Sequence, residues 1–244
     1  MKIINLTKDV PYQIKGCILQ LARLHVPTFV GSAIGADSPL LPLAEAEVHE
    51  LLGDTLASID NPQPIETDEG SFWSAAGVII AFDETKENGV FAGFIQYKAR
   101  VPISDSASIG YAAVCKDYEG QGVFTEMLNE LRSIYPALGL DCTMSLVPMY
   151  EKMGFCVTGQ QGVHVAMRTA PLSGKSWMRE QEYLDQTKSV IEAKKQIRER
   201  LGKKVREAYV KRDSDTRRLS EDVRNFVRSR MSAANTSSPV PPAS

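Results

Sequence analysis

The sequence is short of the residues that staple or metallate a fold. Its 244 residues include four cysteines, three histidines and two tryptophans. Cys17, Cys115, Cys142 and Cys156 form no C-x-x-C pair and no zinc-like spacing, which argues against a disulfide framework and against a structural metal. No apolar run approaches the ~18 residues of a membrane span. The longest, Ala75 to Phe82, has the length of a strand. Met1 to Val10 alternates apolar and charged residues and lacks the apolar stretch of a secretory signal. The expectation is a soluble, cytoplasmic protein that makes no use of a membrane. At 43% hydrophobic, a chain of this length has enough apolar surface for a sizeable core.

Proline and glycine are missing from one region. Lys175 to Arg230 contains no proline and a single glycine, Gly202, whereas both residues punctuate the preceding sequence. Charge changes sign at the same place. Residues 1–174 hold 11 Lys+Arg against 20 Asp+Glu, a net −9; residues 175–244 hold 17 against 10, a net +7. These coincident changes predict an acidic domain over 1–172, a basic helical extension over 173–231, and a disordered, proline-containing end over 232–244.

What is present is a mixed pattern. Lys2 to Leu6 reads as a strand, and Ile14, Cys17, Ile18, Leu21 and Leu24 follow Pro11 at helical spacing. Leu43 to Leu56 resumes a helical period after a Gly31 to Pro42 loop, and Asn61 to Gly70 reads as a connector. Trp73 to Phe82, Val90 to Arg100 and Ser106 to Val114 are strand-like, with Glu87-Asn88-Gly89 a hairpin turn between the first two. Gly122 to Tyr135 is a helix on Val123, Met127, Leu128 and Leu131. Leu140 to Leu146 is a strand, Pro148 to Met153 a short helix, and Phe155 to Val157 and Val163 to Met167 are further strands. That order is α+β or α/β, with one crossover helix. The extension reads as two helices broken near Asp213-Ser214-Asp215. One carries a stripe of Trp177, Leu184, Ile191, Ile197, Leu201, Val205 and Tyr209, and the other a face of Leu219, Val223, Phe226 and Val227.

The chemistry concentrates in Asp117-Tyr118-Glu119-Gly120-Gln121-Gly122-Val123-Phe124, which follows an apolar strand and opens a helix. Two glycines let backbone N–H groups approach a ligand, and the helix start points unpaired donors the same way, so the segment suits phosphates. Further on stands Tyr150-Glu151-Lys152-Met153-Gly154-Phe155. With both motifs in view, the chain resembles the GNAT superfamily of acyl-CoA-dependent N-acyltransferases. Its members carry a pyrophosphate loop of the form Q/R-x-x-G-x-G/A and a short helix ending in a Tyr-Glu-Lys-x-Gly-Phe-like sequence. The resemblance spans residues 1–170 in element order and 110–156 in motif.

The resemblance implies a central mixed, mostly antiparallel sheet flanked by helices, with the helical extension added. It implies acetyl-CoA or a related acyl-CoA as cofactor. Ala112, Ala113 and Val114 would line its pantetheine arm, and Glu119, Gly120, Gln121, Gly122, Val123 and Phe124 would hold its pyrophosphate. Tyr150 would be the general acid for the leaving sulfur when an amine, on a small molecule or a protein, attacks the thioester directly. Two positions depart from the family pattern: Glu119 stands where Gln or Arg is usual, and Phe124 replaces a small residue. They motivate an alternative, a GNAT-fold interaction protein with weak catalysis. Such a protein, phage-encoded in one version, would bind a host enzyme or other macromolecule through its tail.

No general base stands out. His25 and His49 flank the Gly31–Pro42 loop, Glu47 and Asp105 have no supporting pattern, and His164 reads as a strand residue with no catalytic part. Cys115 and Cys142 lack the histidine partner of a nucleophile and read as small core residues. The acceptor pocket is expected from Gly31 to Pro42, Asn61 to Gly70 and Tyr97 to Ser106. In the tail, glutamates interspersed among Lys194-Lys195, Lys203-Lys204 and Arg217-Arg218 fit a solvated helix better than a nucleic-acid handle. Residues 175–230 are expected to pack on the acidic domain, to pair two copies of the chain, or to hold a protein partner.

Overall fold

The computed structural model describes residues 1–236 apart from Ser32, Asn88, Ile103 and Ser104, with side chains as far as Ser232. The chain opens with β1 (Lys2–Leu6), α1 (Tyr12–Leu24), α2 (Val26–Phe29) and α3 (Leu41–Asp60). It continues through β2 (Pro64–Thr67), β3 (Gly70–Trp73), β4 (Ala76–Asp83), β5 (Val90–Ala99) and β6 (Ser106–Val114). After α4 (Val123–Ile134) come β7 (Ala137–Cys142), α5 (Val147–Lys152), β8 (Cys156–Gln161) and β9 (His164–Arg168), then α6 (Gln181–Gln186), α7 (Lys188–Leu201) and α8 (Val205–Thr236).

Seven strands form one sheet in the order β1-β4-β5-β6-β7-β9-β8. All its neighbours are antiparallel except β6 and β7, which α4 joins as a parallel crossover. The expected mixed, mostly antiparallel sheet flanked by helices is therefore what forms.

Strand alternation sorts the core into two faces. Ile79 and Ala81 on β4 with Ile95 and Tyr97 on β5 pack toward α4, whose Val123, Met127, Leu128 and Leu131 are all buried there. Val78, Ile80 and Phe94 point the other way, against Ile18 and Leu21 of α1 and Leu52 and Leu56 of α3. One irregularity interrupts the alternation. Gly110 and Tyr111 of β6 together oppose Gln96 of β5, and the parity shifts as in a β-bulge. Ala107 and Ile109 face α4, then Ala112 and Val114 do, while Tyr111 and Ala113 turn toward α1 and α3. The fully buried Gln96 accepts the displaced Tyr111 N–H on Oε1 at 3.3 Å. A Cβ on residue 110 would collide with that oxygen and displace the buried Gln96 amide.

Several expected boundaries move. The Asn61–Gly70 connector contains β2, which pairs with β3 as a separate hairpin, and the Trp73–Phe82 strand is split at Ser74-Ala75. β7 starts at Ala137 rather than Leu140, because its first residues find parallel partners at Ser106 to Ser108. Residues 144–146 form a 3₁₀ turn. Asn88 of the Glu87-Asn88-Gly89 turn lies outside the described residues.

The tail differs more. Its break falls at Gly202, where a positive φ of 52° and a 3₁₀ turn separate α7 from α8. Asp213-Ser214-Asp215 lies inside α8, where Lys211 and Arg218 both pair with Asp215 on the helix surface. Ile191, on the expected stripe, is 53% exposed, while Ile197 of that stripe is buried together with Val190 and Ala193. α8 runs through residues 232–236 to Thr236, and the remainder of the expected disordered end lies outside the described residues.

The extension packs on the preceding chain. Val190 and Ile197 meet Leu40 and Leu43, and Val223 and Val227 join the main core. Charge assists the docking. Arg179 grips Asp54 of α3 through two hydrogen bonds of 3.0 and 3.1 Å, and Ser189 donates to Glu50 at 2.5 Å. Gln160 of β8 donates to the Ser220 carbonyl and hydroxyl of α8, beside the outermost strand of the sheet. Ile197→Ala should therefore lower stability by about 2–5 kcal/mol, as for any fully buried aliphatic of the main core. Urea unfolding followed by circular dichroism measures it, and a loss near zero would mean that the extension is not part of the cooperative unit.

Candidate active site

β6 and β7 are paired only from Ser106–Ser108 to Ala137–Gly139. Beyond Gly139 they diverge, β7 keeping β9 as its partner and β6 keeping β5. The inner edge of β6 from Ile109 to Val114 is left without a strand, and a cavity of about 680 Å³ occupies the gap. Its walls include Ala112, Ala113 and Val114 of β6, Leu140, Asp141 and Cys142 of β7, and the start of α4. The three residues expected to line a pantetheine arm do line this cleft.

At one end lies the glycine loop. Residues 116–118 make a 3₁₀ turn, pinned where the Tyr118 hydroxyl donates to Asp83 at 3.1 Å. Gly120 and Gly122 take φ of 73° and 83°, and no atom lies within 4 Å of where their Cβ would be. Conformation, not crowding, therefore demands glycine here. No side chain caps α4. The N–H groups of Val123, Phe124 and Thr125 are the unpaired first turn of a helix, and that of Gly120 has no recorded acceptor among the described residues. Glu119, Gly120, Gly122, Val123 and Phe124 all border the cavity. Gln121 is not among the bordering residues; its amide folds back to donate to the Asp117 carbonyl at 2.6 Å. Glu119 is exposed at the cavity rim.

The second motif places Tyr150 by a local device. The Phe155 N–H bonds the Tyr150 carbonyl at 3.0 Å and the Gly154 N–H bonds the Glu151 carbonyl at 2.9 Å, with Gly154 at φ 81°. This is a Schellman closure, and its usual apolar contact is present as the Phe155 ring against the Tyr150 ring at 5.6 Å. The signature Tyr-Glu-Lys-x-Gly-Phe is thus a helix ending that fixes its first residue. On its other side Tyr150 meets Phe124 of α4 edge-on at 5.9 Å, which ties the two motifs together. Tyr150 is 8% exposed, and burial pushes its phenol well above the ordinary range. Among the described residues nothing hydrogen-bonds its hydroxyl, and the residue borders the cavity beside Cys142. The Cys142 thiol, also buried, is pushed up to about 12 and lies 3.7 Å from the Met167 sulfur, as a neutral core residue would.

The remaining candidates separate. His25 borders the cavity; His49 is exposed on α3 and does not. Glu47 is half-buried and accepts from Gln181, and Asp105 accepts from Ser106 and Ser173 at the opposite end of β6. His164, read as a strand residue without a catalytic part, forms part of the cavity wall, and burial lowers its pKa. The wall expected from Gly31–Pro42, Asn61–Gly70 and Tyr97–Ser106 is supplied instead by His25, Thr28 and Phe29. Pro62, Ala99, Arg100 and Val101 border a second cavity of about 650 Å³, near the other end of α4 at Tyr135. The sequence reading missed Asp141. Its signal was a lone acidic residue between Leu140 and Cys142 in an otherwise apolar strand. Among the described residues no cluster of His, Cys, Asp or Glu could hold a metal, and no helix is long and apolar enough to cross a membrane.

A splayed parallel pair with bare helix-start donors at one end and a buried phenol between its walls defines a GNAT-like fold and cleft. Residues 46–155 match the Acetyltransferase (GNAT) family, in agreement with the resemblance read from the two motifs. No curated protein matches the chain at a significant level. Solved structures similar to it include a histone acetyltransferase HPA2 and related acetyltransferase from Corynebacterium glutamicum, at 16% identity over 72% of this chain and 100% of that one, TM-score 0.48. An acyl-CoA N-acyltransferase from Pseudomonas aeruginosa is 14% identical over 70% and 100%, TM-score 0.45. A GCN5-related N-acetyltransferase from Kribbella flavida is 17% identical over 70% and 98%, TM-score 0.43. Likenesses this distant carry no argument. Family and fold support an acyl-CoA N-acyltransferase in general.

Two substitutions test the loop. Gly122→Ala forces an L side chain into the left-handed region and should weaken CoA binding by about 1 kcal/mol, roughly fivefold. Glu119→Gln removes an anion from the loop that carries the donors and should tighten CoA by about 0.3–1 kcal/mol. Isothermal titration with CoA reads both.

Proposed function

We propose that this protein is an acyl-CoA-dependent N-acyltransferase, with acetyl-CoA as donor and an amine of a small molecule or a protein as acceptor. One observation carries the reading. Bare helix-start N–H groups, an unpaired strand edge and a buried, otherwise unbonded phenol line one cavity. These residues fit the donor. The amides of Gly120 and Val123 to Thr125 would hold its pyrophosphate, and the free edge of β6 at Ala112 to Val114 would pair with its pantetheine amides as a missing strand does.

Bound acyl-CoA supplies an activated acyl group, whose C–S bond breaks as the C–N bond to the acceptor forms. Tyr150 holds the proton that the departing sulfur takes. Burial disfavours the phenolate, so the folded pKa lies above the free value of about 10 and the proton is retained throughout the neutral range. The amine must be neutral to attack, although free alkylamines have a pKa of about 10.4, so its proton leaves through the acceptor end of the cavity. The cleft walls hold the two reactants in register, and orientation of this kind supplies up to about 7–11 kcal/mol in the best cases.

The alternative, an interaction protein working through its tail, draws no support from the apolar stripe. Leu184, Val190, Ile197, Val223 and Val227 are buried within the chain itself.

Tyr150→Phe should bind CoA as the wild type does while kcat falls about 10²–10⁴-fold, measured as thiol release from acetyl-CoA with a panel of amines. Undiminished turnover would remove Tyr150 from the mechanism. Because its pKa is raised, the wild-type rate should show no fall attributable to Tyr150 below about pH 10.

A further inference from the structure

We infer that Asp141 is the docking residue for the acceptor's ammonium group, and that the acceptor is a primary amine carried on an apolar or aromatic arm. The inference rests on the acyltransferase reading and specifies its acceptor side. It starts from strand parity. Leu138, Leu140 and Cys142 of β7 pack on the side of α4 and Tyr150. Asp141 therefore projects from the opposite face, as does its cross-strand partner Ala166 on β9. That is the face from which Tyr111 and Ala113 of β6 look toward α1 and α3. His25, Thr28 and Phe29 complete the cavity there. The thiol-side machinery and Asp141 thus line one cavity from opposite faces of the split sheet.

Asp141 is an exposed carboxylate on the acceptor side of the cavity that the chain leaves unanswered, as Glu119 is at the other end. Two carboxylates of α3, by contrast, have cations: Asp54 has Arg179 at 3.0 Å, and Asp60 has Lys15 at 2.7 Å. Among the described residues Asp141 has no hydrogen bond and no ion pair, although its side chain is accessible from the cavity. Although Asp141 is exposed to the cavity, the walls remove part of its hydration, which raises its pKa, and no neighbouring group acts in the opposite sense. His164 on the same wall supplies no fixed positive charge, since burial favours its neutral form. A carboxylate held in a cleft without an internal cation stabilises one brought by a ligand.

The arm follows from the neighbours. Phe29 and Tyr111 stack at 5.1 Å and 57° on the acceptor face, and burial pushes the Tyr111 phenol up to about 12, keeping it neutral. These rings offer an apolar shelf for the part of the acceptor that carries the amine. The cation binds as ammonium and gives one proton through the carboxylate to water before it attacks; the second N–H proton, lost as the amide forms, replaces through water the proton that Tyr150 gives the sulfur, so Asp141 ends the cycle ionised and Tyr150 neutral.

The test uses the whole protein, alone and saturated with CoA, and 2-phenylethylammonium with 2-phenylethanol as its uncharged counterpart. By calorimetry, Asp141→Asn should weaken the ammonium roughly tenfold or more. The alcohol should bind both proteins alike. Asp141→Ser repeats the comparison should the asparagine variant unfold early. Equal ammonium affinity in wild type and variants, or no saturable ammonium binding to wild type, would overturn the assignment. Failure of wild type to bind CoA would instead overturn the acyltransferase reading, whatever the ammonium does.

Discussion

The site depends on a pairing that stops. Three residues of β6 and three of β7 hold each other in parallel at their starts, and nothing joins them afterwards. An unpaired strand edge inside a fold leaves N–H and C=O groups that must find water or a ligand. Both strands remain rigid because each has another neighbour, β5 for one and β9 for the other. The opening is a feature of the sheet, not of a loop. α4 then starts at the mouth of the opening, since it is the crossover between these two strands, and its unpaired amides are brought there by topology alone.

The bulge at Gly110–Tyr111 and the Schellman ending at Gly154 act on this opening from its two sides. The first reverses which residues of β6 look toward α1 and α3, and Gln96 accepts the N–H that the bulge frees. The second holds the Tyr150 ring between Phe124 and Phe155. Both devices rest on glycines, one because a side chain would strike Gln96 and the other because the backbone is left-handed. The C-terminal helices reinforce the same region. Arg230 of α8 pairs with Glu151, next to Tyr150, at 3.5 Å, and the Leu219 methyl lies 3.6 Å from where a Cβ on Gly31 would sit, behind the wall formed by His164. The extension touches both the donor and the acceptor sides of the cleft, and Val223 and Val227 of α8 belong to the core that carries Tyr150.

Much of this was legible from local sequence. The loop Asp117 to Phe124, the Tyr150 to Phe155 ending and the amphipathic α4 are each written within a dozen residues, and short-range rules read them. Errors arose where a pattern is short or where side-chain pairing overrides composition. The tail was expected to break at Asp213-Ser214-Asp215 because polar residues cluster there, but i,i+3 and i,i+4 ion pairs keep α8 continuous. β2 and β3 were hidden in a connector because a four-residue strand has little periodicity to show.

By itself the sequence determined the helix that opens the cleft, the glycines that let the chain turn into it, and the tyrosine motif that faces it. Those are consequences of φ, capping and spacing, which a residue shares only with near neighbours. The tertiary structure alone decided where β6 and β7 part, which face Asp141 and Tyr111 present, and that the basic extension is folded into the core. Strand register and parity depend on partners tens of residues away, and a single bulge reverses them.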